Sequence, residues 1–368
     1  MINFTRIGVD LSLACSDSPR GIGVYEKNIA LPLNEIRSSN KVFIFGIGKK
    51  PEWIDASVVY VNTYSKNVII REQIILPFLC LILRIQKLHL FANVVPLMLI
   101  INPFCQIFLT IHDVSYKYDY SYMDSDEKQN TLKRRIGLLY QSWMLKYSFW
   151  RSDRIFSVSK WASLEIEKFV NNKTNKSISV VPNICNDIFY NVKVPNWKNR
   201  EDLIIVVAGA HPQKNIPFLL SNIYKHQNKD AAGFKYIFIG ITKDEVLDKY
   251  SNMSRVSFHG MVSQERLLSL YDKCKLLIMP SYFESFSIPL IEADQRGLWI
   301  LSSFGGATKE VAPEHTLFFD PSCDKSFNMM FDNAISKLNN SPSATIGSAA
   351  SKVDIRNLYW GSCYKINE

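Results

Sequence analysis

Short apolar runs rich in β-branched residues recur along the chain, separated by longer stretches whose apolar residues fall three or four apart. Runs of roughly four to eight such residues bounded by turn formers read as buried strands, and their alternation with helical stretches predicts a parallel sheet covered by helices. In the first half the predicted strands are "RIGVDLSL", "KVFIFGI", "QIFLTIHD", "RIFSVS" and "SISVVPN". After Asn183 the pattern lapses into a polar, irregular stretch, "ICNDIFYNVKVPNWKNREDL". It restarts with "LIIVVAGA", "KYIFIGI", "VSFHG", "LLIMPS" and "LWILSS". The restart predicts two α/β domains, 1–185 and 201–350, joined by a linker at 186–200. Residues 351–368 form a C-terminal helix able to pack back on the first domain. Open α/β sheets bind ligands beyond the C-terminal ends of their strands, so the chemistry is expected in a cleft between the two domains.

One further helix is predicted over "TLKRRIGLLYQSWMLKYSFWR". Apolar residues at 132, 136, 139, 143, 147 and 150 share a face, and basic residues 133, 134, 135, 146 and 151 flank it. Two readings stand: a surface helix packed on the sheet, or a basic, Trp- and Tyr-bearing edge that rests on an anionic membrane. Charge sharpens the second. The formal net charge is +9, and residues 127–160 hold eight Lys or Arg against Glu127 and Asp153. An excess of this kind points to an anionic partner. Hydrophobic residues at 47% and charged residues at 21% describe a folded chain. The seven cysteines are scattered and form no C-x-x-C pair, so they suggest neither a disulfide framework nor a zinc site and fit a reducing cytoplasm. The start lacks a basic segment followed by a long apolar one, and "IILPFLCLIL" and "VVPLMLII" are too short to span a bilayer.

The most informative stretch is "PSYFESFSIPLIEADQRG", residues 280–297. It follows a predicted buried strand, "KLLIMPS", so "YFESFSI" reads as a loop. Ser287 reads as an N-cap, Pro289 suits a first helical turn, and Gly297 supplies a left-handed stop. Glu284 then lies in the loop and Glu292 one turn inside the helix. A loop leading into a helix N-terminus offers free N–H groups and a positive dipole end, which suits a diphosphate. A carboxylate on each side suits hydroxyls, and a nucleotide-sugar presents hydroxyls on both sides of a diphosphate. The alternative is a solvated Glu284 with Glu292 decorating an amphipathic helix.

This stretch resembles the signature of retaining glycosyltransferases of GT-B fold, the glycosyltransferase group 1 family, whose strand-loop-helix carries two glutamates seven residues apart. The resemblance continues in order through "RGIGVYEKNIA", "TIHD", "RSDRIFSVSKWASLEI", "VVPN", "GAHPQKN", "VSFHGMVSQERLLSLYDKCKLLIMPS" and "KEV". It implies a GT-B architecture of two Rossmann-like domains facing each other across a cleft. It also implies metal-independent transfer of a hexose, with retention, from a nucleoside diphosphate sugar to a hydroxyl of a saccharide acceptor. The nucleotide-sugar is a substrate, so no cofactor is expected. By the same resemblance Glu284 contacts the donor sugar and Glu292 the ribose. Lys214 holds the diphosphate, while Gly209, Ser285, Phe286, Ser287 and Ile288 border the donor. His112 and Asp113 orient sugar and acceptor, and Gly21 and Gly23, with Arg20 beside them, form a phosphate or acceptor loop. Glu310 is a weaker donor contact.

The sequence departs from the pattern in three places. Ser285 and Ser287 stand where glycine is usual, and no arginine accompanies Lys214, which leaves the diphosphate clamp a point charge. "EADQRG" replaces small apolar residues, a structural change. "PQKN" is similar to the Pro-Arg-Lys-Asn segment of some mannosyltransferases, making GDP-mannose the first candidate donor. A lipid-linked acceptor in O-antigen or lipopolysaccharide assembly, reached from the inner face of the cytoplasmic membrane, fits the basic stretch. Rival readings are a nucleotide-sugar epimerase, an inactive homologue, and a basic nucleic-acid-binding protein. The last lacks any recognisable binding module. Asp124-Ser125-Asp126 has the form of a metal-binding Asp-x-Asp but lies in a polar stretch before a helix, where such acids cap or face solvent.

Overall fold

The computed structural model of the chain describes residues 5–16, 21–30, 40–65, 67–114, 132–171, 176–226, 233–340 and 355–364. They form two compact units. The first contains seven strands, β1 (Thr5–Asp10), β2 (Asn40–Gly46), β3 (Val59–Asn62), β4 (Lys87–Leu90), β5 (Gln106–Ile111), β6 (Arg154–Ser157) and β7 (Ile178–Val180). Their order is β3-β2-β1-β4-β5-β6-β7, with every pairing parallel. The second holds β8 (Leu203–Val207), β9 (Lys235–Ile239), β10 (Val256–Phe258), β11 (Leu276–Met279), β12 (Trp299–Ser303) and β13 (Leu317–Phe319). Their order is β10-β9-β8-β11-β12-β13, again all parallel. Both sheets are Rossmann-like: each runs outward from its first strand and then reverses. The reversal lies between β1 and β4 in one unit and between β8 and β11 in the other, and at such a point the loops diverge to leave a crevice.

Buried β-branched and leucine side chains fill both faces of the central strands. The second core gathers Ile204, Val206, Phe238, Leu276, Ile278 and Leu301 with Leu219, Leu220 and Phe327 from covering helices. Each fully buried side chain of this size contributes about 1.5–3 kcal/mol.

Three strands escape the sequence pattern: β3, β4 and β13. β4 reads "KLHL", and its polar residues hide a buried strand. His89 is nevertheless fully buried, since Nδ1 and Nε2 lie 2.9 Å and 2.6 Å from the hydroxyls of Tyr359 and Tyr364. Both tyrosines sit on the helix Ile355–Tyr364, which belongs to the first unit and donates from Trp360 Nε1 to the Ile29 carbonyl at 2.8 Å.

The helix Leu132–Arg151 corrects the reading of its apolar face as packed. Met144, Leu145, Ser148 and Phe149 are buried, whereas Ile136, Leu139, Trp143 and Trp150 are exposed. Two stripes of the helix are apolar, and spacing alone does not say which meets the sheet. Among the described residues no helix is long and apolar enough to cross a membrane.

Candidate active site

The two loops at the reversal of the second sheet carry most of the singled-out residues. After β8 the chain passes Gly209 and His211 into a single helical turn, Pro212–Lys214. Asn215 ends the turn in the left-handed region at φ 54°. Its amide donates to the Pro280 and Pro321 carbonyls at 3.2 Å and 2.8 Å, tying this loop to the end of β11. Gln213 adds two further ties: its carbonyl accepts from Tyr282 N at 2.8 Å, and its Nε2 donates to the Phe283 carbonyl at 2.7 Å.

This bracing brings Lys214 and Glu284 together, seventy positions apart in sequence. Nζ lies 2.7 Å and 2.9 Å from the two carboxylate oxygens, and Ser281 Oγ donates to Oε1 at 2.5 Å. Glu284 is 6% exposed. Its backbone is fixed from the other side by the turn after β12, where Glu284 N donates to the Gly305 carbonyl at 3.3 Å and Ala307 N to the Glu284 carbonyl at 2.7 Å. Two glycines allow that approach. A Cβ on Gly305 would lie 1.8 Å from the Tyr282 carbonyl oxygen, and Gly306, at φ 72°, would place one 2.3 Å from that of Glu284.

The helix Ile288–Gln295 follows, with Pro289 in its first turn and Gly297 left-handed at φ 70° beyond its end. Ser287 occupies the N-cap position but does not cap through its side chain. Its backbone is left-handed, φ 76° and ψ 76°, rather than in the extended conformation from which a serine usually caps. That hydroxyl is buried and has no hydrogen-bond partner among the described residues. Ser285 and Ile288 are half-buried and Phe286 is buried. Glu292 is buried inside the helix and accepts from the Tyr271 hydroxyl at 3.0 Å. Burial pushes its carboxyl up to about 7, partly offset by that bond. Arg296 anchors the helix's far end on Asp272 at 2.7 Å and on the Val192 and Lys193 carbonyls at 2.6 Å and 3.0 Å, which gives the "EADQRG" departure its structural role. Glu310, on the short helix Thr308–Val311, is exposed.

In the first unit, Gly21 takes φ 39° and the helix Ile22–Ala30 begins at once, with Gly23 buried in its first turn. Glu26 of that helix accepts from Ala14 N at 2.8 Å and so holds the loop after β1. Beyond β5, His112 N donates to Asn93 Oδ1 at 2.7 Å, and Nε2 lies 2.9 Å from the Phe91 carbonyl. The ring meets that of Tyr25 edge-on at 4.8 Å. Burial pushes His112 down to about 4, against the opposing pull of Asp113 and the Phe91 carbonyl. It is therefore neutral near pH 7, with the proton on Nε2, since a carbonyl can only accept, and a lone pair on Nδ1. Asp113 is half-buried. Arg20 and Asp124-Ser125-Asp126 lie outside the described residues.

Sequence reading missed Gln213, Tyr271, Ser281, Gly305 and Gly306. Only the glycine pair left a visible signal, "FGG" directly after the strand "LWILSS".

Residues 188–346 match the family model described as glycosyl transferases group 1. The chain is 27% identical over 244 residues to the O-antigen chain mannosyltransferase RfbU of Salmonella typhimurium, an alignment covering 63% of each protein. It is 22% identical over 203 residues to the serotype-specific mannosyltransferase WbdA of Escherichia coli, covering 51% of this chain and 25% of that protein. It thus spans under two thirds of the first relative and a quarter of the second. The fold is similar to that of sucrose-phosphate synthase from Thermosynechococcus elongatus, with a TM-score of 0.73 at 15% identity over 98% of both chains.

Proposed function

We propose that this chain, whose residues 188–346 form a group 1 glycosyl transferase domain of the type found in O-antigen mannosyltransferases, moves a hexose from a nucleoside diphosphate sugar to a saccharide hydroxyl. The observation that carries the reading is the Lys214–Glu284 ion pair at the reversal of the second sheet, in the same loop as Ser287, whose buried hydroxyl has no hydrogen-bond partner among the described residues. In the free protein the carboxylate holds the ammonium where a diphosphate would need it. A bound donor then takes over Lys214 and frees Glu284 to face the sugar ring, which gains positive character as the diphosphate departs. Charge growing on the leaving group meets Lys214 in a water-poor site, where a preorganised charge is worth most.

The other residues take supporting roles. Glu292 accepts from the ribose hydroxyls, and Ser287 Oγ donates to the diphosphate beside the first N–H groups of the Ile288–Gln295 helix. Gly209, Ser285, Phe286 and Ile288 border the donor, and Glu310 contacts it more weakly. In the first unit, neutral His112 offers Nδ1 as an acceptor, and with Asp113 it orients sugar and acceptor next to the Gly21–Gly23 loop and Arg20. Lys214 supplies the positive charge that a metal would otherwise bring to the diphosphate, so no metal or cofactor is called for, and the resemblance to the retaining family assigns retention to the transfer. GDP-mannose is the first candidate donor, a choice supported by the similarity to RfbU and WbdA, which are named mannosyltransferases. The acceptor is a lipid-linked saccharide of O-antigen or lipopolysaccharide assembly. The enzyme works in the cytoplasm, peripheral to the membrane, through the basic 127–160 stretch, and binds no nucleic acid.

A panel of GDP- and UDP-sugars tests this through thermal stabilisation, nucleoside diphosphate release and the anomeric configuration of the transferred sugar. One donor should stabilise the protein and be consumed with retention. Donor isomerised without acceptor would identify an epimerase, and no effect from any donor would refute the reading.

A further inference from the structure

We propose that the first unit inserts an apolar face into an anionic lipid bilayer, deepening and resting on the peripheral placement proposed above. Three elements build the face: the helical run Val68–Ile70, Arg71–Ile75 and Leu76–Ile82, the short turn Leu97–Ile101, and the helix Leu132–Arg151. Their inner sides share one core, in which Leu76 and Cys80, Leu99, and Leu145 and Phe149 meet Ile107 and Leu109 of β5. Ser148 Oγ also accepts from Val95 N at 2.8 Å, and Gln73 Oε1 accepts from Leu97 N at 2.9 Å, which locks the elements side by side.

With the inner sides joined, the outer sides form one surface, and it is apolar. Ile74, Phe78 and Ile82 are each more than half exposed, Ile100 is 71% exposed and Phe104 90%, and Trp143 is half exposed on the neighbouring helix. A soluble protein rarely leaves so many large side chains together in water, and such a patch marks a protein or membrane contact. Charge selects the membrane. Apart from Arg71 and Glu72, which pair with each other, residues 67–104 and 132–151 carry seven Lys or Arg and no acid. A second copy of the same face would bring like charges together, whereas anionic lipid headgroups complement them. Tryptophan at the edge of an apolar face beside cations is the side chain that settles at headgroup level. Stable anchoring takes two signals, and here apolar insertion joins basic attraction.

The test is co-sedimentation with vesicles of phosphatidylcholine, alone or mixed with phosphatidylglycerol, at low and high salt. Three proteins are compared: wild type, an Ile74→Ser/Phe78→Ser/Phe104→Ser variant, and a Lys133→Ser/Arg134→Ser/Arg135→Ser variant. Nucleoside diphosphate release is followed in solution on the same preparations. Wild type should bind mixed vesicles and keep part of that binding at high salt. The apolar variant should lose the salt-resistant part, weakening binding by roughly tenfold or more, while keeping wild-type release. The basic variant should lose only the salt-sensitive part. Apolar-variant binding equal to wild type overturns the inserted face and leaves the peripheral placement standing. Absence of wild-type binding overturns both. A wild-type dimer in solution that the apolar substitutions convert to a monomer also overturns the proposal, because the face then covers a second copy.

Discussion

Glu292 provides a quantitative check, because its environment fixes both a pH dependence and a sign. Burial moves its carboxyl from 4.5 to about 7. A tenfold change in proton affinity is worth about 1.4 kcal/mol, so the charged form above pH 7 costs the free protein about 3 kcal/mol. Between those two values the folded protein keeps a proton that the unfolded chain has released. The group's favourable contribution is therefore complete below pH 4.5 and is lost as pH rises through 7. Glu292→Gln removes the charge and leaves an amide oxygen to accept from Tyr271. Urea unfolding of wild type and variant at pH 5 and pH 8 isolates the effect, since all other titrating groups cancel in the difference. The two should be nearly equal at pH 5, and the variant more stable by about 2–3 kcal/mol at pH 8. The same charge accepts from ribose in the proposed complex, so bare nucleotide should bind the variant more weakly by about 1–3 kcal/mol at pH 8. A stability difference that does not change with pH would refute the buried, proton-holding carboxyl.

Two further substitutions probe the same site. Lys214→Ala should lower turnover more than any other single basic substitution in the second unit, because no arginine accompanies it and Glu284 is left with Ser281 alone; wild-type rates with the true donor would mean that the segment is misassigned. Ser287→Gly should stabilise the free protein by about 1 kcal/mol, by relieving a left-handed serine and removing a buried hydroxyl that has no partner among the described residues, yet weaken nucleotide binding; unfolding midpoints and calorimetry read the two effects, and lost stability would contradict the first.

Apolar runs made most strands of both sheets legible, because central parallel strands are covered on both faces and need continuous hydrophobic sequence. β4 was hidden for a physical reason. His89 is buried only because the hydroxyls of Tyr359 and Tyr364 satisfy it from a helix some 270 residues later. β3 and β13 are edge strands in which only Phe319 is fully buried, so neither demands a continuous apolar run. In the helix Leu132–Arg151 the periodicity was sound, but two apolar stripes competed and the less obvious one packs. At the candidate site, the motif singles out Glu284, Lys214 and Ser287 one at a time. Nothing local could show that Gln213 and Asn215 carry the first loop onto the second, or that Gly305 and Gly306 let a third turn press against Glu284. The left-handed backbone at Ser287 was foreshadowed, since glycine is usual there in the resembling family.

The most direct measurement pairs steady-state turnover of the preferred nucleoside diphosphate sugar with calorimetry of its bare nucleotide, for wild type and Glu284→Gln. A contact that strengthens as the sugar gains positive character appears in kcat and leaves ground-state nucleotide binding intact. The account predicts that kcat falls by roughly a hundredfold or more while the nucleotide still binds. Wild-type turnover in Glu284→Gln would contradict it, and would reduce the Lys214–Glu284 pair to a structural brace.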